Sequence, residues 1–223
     1  MPASASGTGA ARRARLAGLY VIVGGPAPVE QARAALDGGA AVIQVRMKDA
    51  PAGAVLEAAR RVVALAAGRG LVIVNDRADL ALLSGADGVH LGDDDLPPAE
   101  GRRLVGPDLL VGRTCRTLDE ARRALAEGAD HVGFGPVFPS HTKPLAIPPR
   151  GLDALREACA ALPAPIVAIS GIGAENVADV ARAGAACAAV IDAVFGAGDA
   201  RDNAARLARA FAAGRGADGE GRP

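Results

Sequence analysis

The sequence predicts a single α/β domain, an eight-stranded parallel (β/α)8 TIM barrel, and three observations support this fold class. Eight short apolar runs rich in β-branched residues recur along the chain, and stretches with helical periodicity separate them. Glycine followed by alanine marks the end of several helices, just before the next apolar run. A chain of 223 residues is long enough for one such barrel. An open doubly wound sheet is the structural alternative.

The apolar runs define the strands in order, and each is long enough to form one wall segment of a barrel. They cover residues 19–23, 41–45, 71–74, 88–91, 109–111, 131–134, 165–169 and 187–191. The helices that follow them cover residues 29–37, 52–67, 78–83, 98–104, 118–127, 152–161, 174–183 and 199–213. One joint is used repeatedly, as in Ser84-Gly85-Ala86-Asp87 and Glu127-Gly128-Ala129-Asp130. Right-handed crossovers between such units place successive strands parallel to one another.

The ends of the chain lack the apolar periodicity of the barrel. Residues 1–17 contain Ala, Ser, Gly and Arg without any acid, which predicts a disordered N-terminal extension. Residues 18–213 form the catalytic barrel domain in this interpretation, and residues 214–223 form a disordered tail. An organelle transit peptide shares the composition of the N-terminal extension, and disorder is the preferred interpretation because the whole chain is rich in Ala and Arg.

Composition narrows the class of partner. Twenty-five basic and 25 acidic side chains cancel, and aromatic residues make up 2% of the chain, so nucleic acid is not expected as a partner. No apolar run approaches the roughly 20 residues that span a bilayer, which argues against a membrane partner. Three widely spaced cysteines suit a reducing compartment, and we expect a cytoplasmic protein acting on small molecules. Assembly into a homo-oligomer stays open.

Basic residues follow two of the predicted strands and point to an anionic ligand. Arg46 and Lys48 follow the second strand, where alternation along an extended segment would let both point the same way. Lys143 follows the sixth, and it and Lys48 are the two lysines of the chain. In a barrel, the loops after the strands share one rim, where the active sites of this fold lie. The three cations would suit a diphosphate.

Two carboxylates are expected at the same mouth. Asp76 follows the third strand and Asp95 the fourth, and carboxylates beside phosphate ligands commonly hold Mg2+. A general acid pair is the weaker interpretation, because neighbouring cations are expected to lower the pKa of a carboxyl group. Asn75 and Asp76 could instead cap the following helix, and Asp93 to Asp95 could form a solvated acidic turn.

A second anion site is expected after the seventh strand. Ser170-Gly171-Ile172-Gly173 forms a glycine-rich turn before a helix, where free amides can bind a phosphate monoester. His90 ends the fourth strand, and we interpret it as a packed, hydrogen-bonded histidine rather than a base. His131 is expected at the far rim and His141 in a loop, and no nucleophile accompanies either.

Five phrases in register resemble the thiamine phosphate synthase family over about residues 18 to 212. The phrases are Gln44-Val-Arg-Met-Lys48, Val74-Asn-Asp76, Ala86-Asp-Gly-Val-His-Leu-Gly92 with Asp95, Ala129-Asp-His-Val-Gly-Phe-Gly-Pro-Val-Phe-Pro139 with Ser140-His-Thr-Lys143, and Pro165-Ile-Val-Ala-Ile-Ser-Gly-Ile172. The resemblance implies the condensation of a hydroxymethylpyrimidine diphosphate with a hydroxyethylthiazole phosphate to give thiamine phosphate and diphosphate. It also implies loss of diphosphate before bond formation, assisted by Mg2+ and by the cations Arg46, Lys48 and Lys143.

The resemblance implies a role for each matching residue. Gln44 and Thr114 would orient the pyrimidine, and Asp76 and Asp95 would hold Mg2+. Arg46, Lys48, Asn75 and Lys143 would hold the diphosphate. The thiazole phosphate would be received by Ser140, Thr142 and Gly171 with the backbone near Ile191 and Asp192.

The chain departs from the family pattern at five positions. These are Asp93 in place of glutamine, Thr114 in place of serine, Arg116 in place of histidine, Ser170 in place of glycine and Asp192 in place of serine. A carboxylate such as Asp192 repels a phosphate unless its side chain turns away. Two rival interpretations follow. One is a thiazole tautomerase-like barrel, which would lack its histidine because Arg116 takes that position, and the other is a degenerate barrel that binds phosphorylated ligands without turnover.

Overall fold

Eight strands close into a barrel in the order in which they occur along the chain. The computed structural model describes residues 8–139 and 147–216. Every neighbouring pair is parallel, and β1 closes the barrel by pairing with both β2 and β8. The strands are β1 (Gly18–Val23), β2 (Val42–Val45), β3 (Leu71–Asn75), β4 (Gly88–Leu91), β5 (Leu110–Cys115), β6 (His131–Phe134), β7 (Ile166–Ile169) and β8 (Cys187–Val190). The predicted fold class is confirmed, and closure excludes the open sheet.

Helices alternate with the strands and surround the barrel. They are α1 (Gly9–Ala14), α2 (Pro28–Asp37), α3 (Ala52–Ala66), α4 (Ala78–Ser84), α5 (Pro98–Val105), α6 (Leu118–Ala126), α7 (Gly151–Ala161), α8 (Val177–Arg182), α9 (Asp192–Phe195) and α10 (Ala200–Gly216). Two of them, α1 and the four-residue α9, have no counterpart among the predicted elements. Among the helices of the described ranges, none has both the length and the apolar character needed to cross a bilayer.

The side chains of each strand alternate between the inside of the barrel and the layer between strands and helices. In β1, Tyr20 and Ile22 belong to a small cluster inside the barrel, whereas Leu19 and Val21 pack in the outer layer. Val42 and Ile73 continue the inner cluster on β2 and β3. The alternation along each strand therefore assigns every residue to one of the two layers. A residue two positions after an inward-facing residue also faces the interior of the barrel.

Strand β5 is longer than the sequence pattern predicted. The predicted strand covered residues 109–111, but pairing with β6 continues through Thr114 and Cys115, which lie opposite Gly133 and Phe134. Glycine at position 112 interrupts the apolar run, and polar residues follow it, so the pattern ended early. As a result, Thr114 is a strand residue that faces the barrel interior and not a loop residue.

The N-terminal segment differs from the expected disordered extension. Residues 9–14 form α1, and Arg12 in this helix is only 6% exposed. Its Nε donates to Asp87 Oδ1 at 3.0 Å, and its Nη1 donates to the carbonyl oxygen of Asp108 at 2.8 Å. Asp87 directly precedes β4, and Asp108 lies two residues before β5. Helix α1 therefore packs against the rim formed by the amino ends of the strands. The expectation of disorder is wrong for residues 8–17, and residues 1–7 lie outside the described ranges.

The last helix also exceeds its predicted bounds. Helix α10 continues to Gly216, and Gly214 is buried against α8, where an added Cβ would lie 2.4 Å from the carbonyl oxygen of Ala178. Residues 214–216 thus belong to the barrel and not to a disordered tail. Residues 217–223 of that predicted tail are outside the described ranges.

Candidate active site

The carboxyl ends of the strands surround one cavity of about 930 Å³. Its floor and walls are formed by inward-facing residues of the strands. These residues follow the inner-core residues of the same strands in the alternating pattern. Gln44 lies in β2 and Arg46 directly follows it, Asn75 ends β3, and His90 and Thr114 come from β4 and β5. Glycine at positions 133 and 135 leaves the β6 wall without side chains. This cavity is the candidate active site.

The side chain of Gln44 is hydrogen-bonded to a tyrosine inside the barrel. The Gln44 side chain is 4% exposed, and its Nε2 donates to the hydroxyl of Tyr20 at 2.8 Å. Tyr20 is completely buried, which raises the pKa of its phenol above the usual range and keeps it neutral. A buried, hydrogen-bonded amide has a defined orientation, so Gln44 is suited to recognise a polar ring from the floor of the cavity. Tyr20 was not predicted as a site residue, because it lies within an apolar strand.

His90 and His131 form a buried pair beneath Thr114. Their ring centroids are 5.7 Å apart, and His90 Nε2 lies 2.9 Å from the Thr114 hydroxyl. Burial lowers the pKa of His90 to about 4 and that of His131 to about 3, so both are neutral at pH 7. The packed, hydrogen-bonded interpretation of His90 is therefore supported. His131, expected at the far rim, instead points into the barrel.

Gly112 makes room for this pair. An added Cβ at position 112 would lie 2.2 Å from His131 Nε2 and 2.7 Å from His90 Nδ1. His90 Nδ1 and both ring nitrogens of His131 have no hydrogen-bond partner among the described residues. Buried polar atoms of this kind are usually satisfied by an ordered water. Neutral imidazoles are poor proton donors, and the contact of His90 Nε2 with the Thr114 hydroxyl gives that hydroxyl a defined orientation.

Asp76 and Asp95 come together beside the mouth of the cavity. Asp76 has a positive φ of 65°, and its amide donates to the carbonyl oxygen of His90 at 2.8 Å. Asp95 Oδ2 accepts from the amide of Gly92 at 2.6 Å, which fixes that carboxylate. Helix α4 takes Arg77 as its N-cap residue without a side-chain hydrogen bond. Asn75 and Asp76 are therefore not capping residues, and both are available for a ligand.

The electrostatics of this pair differ from the expectation. The pKa of Asp76 is raised, first by burial and then by the neighbouring Asp95, although Lys48 and Arg46 act in the opposite direction. Lys48 Nζ lies 3.7 Å from Asp76 Oδ2. The expected lowering of carboxyl pKa by adjacent cations is thus wrong for Asp76, because two carboxylates share a partly buried site. Mutual repulsion of this kind is relieved by a bound cation.

The donor set suits Mg2+ when a phosphorylated ligand is present. Within the described ranges no group of three or more His, Cys, Asp or Glu side chains could enclose a metal ion by itself. Two carboxylates are what Mg2+ commonly takes from a protein when substrate phosphates and waters complete its shell. Asp76 and Asp95 fit that requirement, and they do not form an independent metal site.

Lys48 does not face the main cavity as Arg46 does. Arg46 lines it, whereas Lys48 borders an adjacent small pocket with Met47 and Asp76. The two residues were expected to point the same way along an extended segment, but the chain enters a turn at Lys48. Lys48 therefore reaches the site from the side of the carboxylate pair.

Gly171, Ile191 and Asp192, which were predicted to receive the thiazole phosphate, line the β7 and β8 end of the cavity. Gly171 has a φ of 63°, and an added Cβ would lie 2.1 Å from the carbonyl oxygen of Pro139. The Gly173 amide donates to Asn176 Oδ1 at 2.9 Å, so it is not free for a phosphate. Helix α8 begins at Val177, later than predicted, because this turn is closed by Asn176. Asp192 is exposed at the start of α9.

Ser170 and the preceding loop complete this end. Ser170 has a φ of 87°, and its hydroxyl donates to the carbonyl oxygen of Phe138 at 3.1 Å, so it is engaged with the β6 loop. Ser140, Thr142 and Lys143, which were expected to contact phosphate groups, lie outside the described residues. Pro139 and Ile147, the described residues on either side of them, line the cavity.

Two positions that depart from the family pattern contact each other. Arg116 lines the cavity and forms an ion pair with Asp93. This contact raises the pKa of Arg116 above its usual range, so the guanidinium stays charged. Arg206 and Asn203 of α10 also line the cavity. Neither was predicted as a site residue, since both lie within a helix and not directly after a strand.

A closed (β/α)8 barrel with cations and carboxylates around a cavity at its C-terminal rim is the architecture of a barrel enzyme that acts on small molecules. Residues 19–194 match the family described as thiamine monophosphate synthase. The thiamine-phosphate synthase of Anaeromyxobacter dehalogenans is 72% identical over 98% of this chain and 99% of that protein. That of Myxococcus xanthus is 48% identical over 84% and 86% of the two chains. The chain therefore belongs to the thiamine-phosphate synthase family of enzymes, which confirms the family inferred from sequence.

A solved structure agrees with this assignment. Thiamine phosphate pyrophosphorylase from Pyrococcus furiosus superposes with a TM-score of 0.82 at 36% identity, over 90% of this chain and 98% of that one.

Proposed function

We propose that this enzyme joins 4-amino-2-methyl-5-hydroxymethylpyrimidine diphosphate to 4-methyl-5-(2-hydroxyethyl)thiazole phosphate, with Mg2+ and through departure of diphosphate before bond formation. The observation that carries the proposal is the arrangement of one continuous cavity. Gln44 and Thr114 line it together with Arg46 of the β2 side and with Gly171 and Ile191 of the β7 and β8 side. Asp76, which interacts with Asp95, borders an adjacent small pocket that shares Asn75 with the cavity. A volume of about 930 Å³ is near the upper end for small-molecule sites, which suits two substrates bound together.

The chemistry requires stabilisation of a leaving group more than proton transfer. The bond between the pyrimidine methylene carbon and the diphosphate oxygen breaks with both electrons leaving on oxygen, and the thiazole nitrogen then bonds to that carbon. Arg46 and Lys48 would bind the diphosphate as its charge develops, while Gln44 would orient the ring. Mg2+ held by Asp76 and Asp95 would supply Lewis-acid stabilisation of the same charge. The lowered pKa values of His90 and His131 make both weak bases, which agrees with a reaction that needs no general base.

Incubation of the purified protein with both phosphorylated precursors, with and without Mg2+, tests this proposal. We expect thiamine phosphate and diphosphate to form in equal amounts and only with the metal. Product formation at the same rate after chelation of Mg2+ would contradict the metal assignment. Absence of product from the folded protein would favour the degenerate binding barrel, which Asp192 and Ser170 motivate. The tautomerase-like alternative is weakened because Arg116 stays charged in its ion pair with Asp93.

Lys143 provides a direct test of the leaving-group role. We expect Lys143→Ala to lower kcat by about 100-fold or more, since it removes a charge that acts in the transition state. Arg156→Ala is a suitable control because this exposed residue of α7 pairs only with Asp153 among the described residues. A wild-type rate for Lys143→Ala, measured as diphosphate release, would refute the role.

A further inference from the structure

Helix α10 contributes a cation to the β8 side of the cavity. Arg206 lines the cavity together with Ile191, Asp192 and Ala193, although it lies fourteen positions beyond Asp192 in sequence. We propose that the Arg206 guanidinium binds the phosphate group of the thiazole substrate. This inference rests on the proposed function and assigns to it a residue outside the strand-end loops.

A buried asparagine holds Arg206 in place. Asn203 is 7% exposed, and its Nδ2 donates to the carbonyl oxygens of Val194 at 3.0 Å and Ala197 at 2.6 Å. Its Oδ1 accepts from Arg206 Nη2 at 2.8 Å. One nitrogen of the guanidinium is therefore fixed to the turn between α9 and α10, next to the strand end that carries Ile191. The rest of this exposed guanidinium retains donors for a ligand, since an arginine carries five N–H groups.

Charge balance at this end of the cavity calls for such a residue. Glu175 and Asp192 bring two carboxylates to the β7 and β8 side, and a phosphate placed there would be repelled. The other arginines that line the described cavity, Arg46 and Arg116, follow β2 and β5. Arg116 is already paired with Asp93. Of the arginines that line the described cavity, Arg206 is the one tied to the segment that follows Asp192, through Asn203 and its bonds to Val194 and Ala197. Its positive charge is therefore available on the β8 side of the cavity.

The alternative role for Arg206 is structural. Its hydrogen bond to Asn203 could serve only to hold α9 against α10. A structural role would affect folding stability and both substrates together. A phosphate-binding role would affect one substrate, and only when that substrate carries its phosphate.

Isothermal calorimetry on the full-length protein separates these roles. The ligands are the thiazole phosphate, the same thiazole alcohol without phosphate, and the pyrimidine diphosphate. For Arg206→Ala we expect the Kd of the thiazole phosphate to rise at least about tenfold, since a charge-assisted hydrogen bond is lost. The Kd values of the other two ligands should change less than about twofold. Arg206→Lys should restore part of the affinity, because the charge remains while the planar fork is lost.

Arg209→Ala is the matched control, since it removes an exposed arginine one turn further along the same helix. It should leave all three Kd values unchanged. Asp192→Ser should tighten the thiazole phosphate, because it removes an opposing charge. Equal weakening of all ligands by Arg206→Ala, an unchanged Kd for the thiazole phosphate, or no binding of it by the wild type would each overturn the inference. Failure of the condensation assay alone would not, because these measurements need no turnover.

Discussion

Single side chains explain how the floor of the site is built. The hydroxyl of Tyr20 accepts a hydrogen bond from the Gln44 amide, and the ring of His90 is hydrogen-bonded to the Thr114 hydroxyl. In both cases one residue that lines the cavity is oriented by a hydrogen bond to another. The alternation along the strands made the cavity-facing residues predictable. Gln44 and Asn75 each stand two positions after an inward-facing apolar residue, Val42 and Ile73. The role of Tyr20 was not predictable, because a tyrosine within an apolar strand looks like an ordinary core residue. His90 was predicted to be packed and hydrogen-bonded, but its partner Thr114 was not, because that hydroxyl comes from another strand.

Tyr20→Phe tests the orienting role at this scale. Loss of the hydroxyl leaves the buried Gln44 amide without its partner, which should lower the free energy of unfolding by about 1–3 kcal/mol. The KM for the pyrimidine diphosphate should rise, while the KM for the thiazole phosphate should not. Steady-state kinetics and urea unfolding measure these effects.

The double variant Tyr20→Phe/Gln44→Met supplies the control for that experiment. With both polar partners replaced, much of the lost stability should return, but the KM for the pyrimidine should stay high. Equal KM changes for both substrates in Tyr20→Phe would instead indicate a general disturbance of the cavity.

At the level of elements, the repeated Gly-Ala-Asp joint has a definite structural role. Asp87 Oδ2 accepts from the amide of Val72 in β3, and Asp130 Oδ2 accepts from the amide of Val111 in β5. Each aspartate stands just before one strand and binds the backbone of the preceding one. Arg12 joins Asp87, and Arg102 and Arg13 join Asp130. The repeat was visible in the sequence, whereas its ionic partners were not, because they come from distant segments.

The contact between α1 and the barrel can be tested by Arg12→Ala. Removal of this buried guanidinium leaves Asp87 without a cation, and we expect the free energy of unfolding to fall by about 2 kcal/mol, a value discounted for partial exposure of Asp87. Arg15→Ala, which removes an exposed arginine from the same segment, should have little effect. Both KM values should remain at wild-type level, since α1 lies at the rim opposite the cavity. An unchanged stability for Arg12→Ala would show that α1 does not brace the barrel.

For the molecule as a whole, the buried histidine pair links stability to pH. Folding lowers the pKa of His90 from 6.5 to about 4 and that of His131 from 6.5 to about 3. The unfolded chain therefore binds more protons than the folded one below about pH 6.5. The free energy of unfolding is thus highest above that pH and falls as the pH is lowered towards 3, by up to about 1.4 kcal/mol per pH unit for each histidine.

Replacement of one histidine should reduce this dependence. We expect His131→Asn to lose less stability than the wild type between pH 7 and pH 4.5, as measured by urea unfolding at several pH values. His141→Asn is the control, since the sequence places that histidine in a loop, and its pH dependence should match the wild type. Identical slopes for His131→Asn and the wild type would show that the pair does not control acid sensitivity.

The placement of α1 and the aspartate joints has a consequence for how such a barrel can diversify. The bonds of Asp87 and Asp130 hold the strands at one rim, and the cavity proposed to bind the substrates lies at the other. Changes in the binding loops therefore leave the bracing contacts intact. A gene encoding this chain could accumulate loop substitutions, such as those at positions 93 and 116, and still specify a folded product. Substitutions that change ligand selectivity can thus occur at one rim while the residues that stabilise the fold at the other rim are retained.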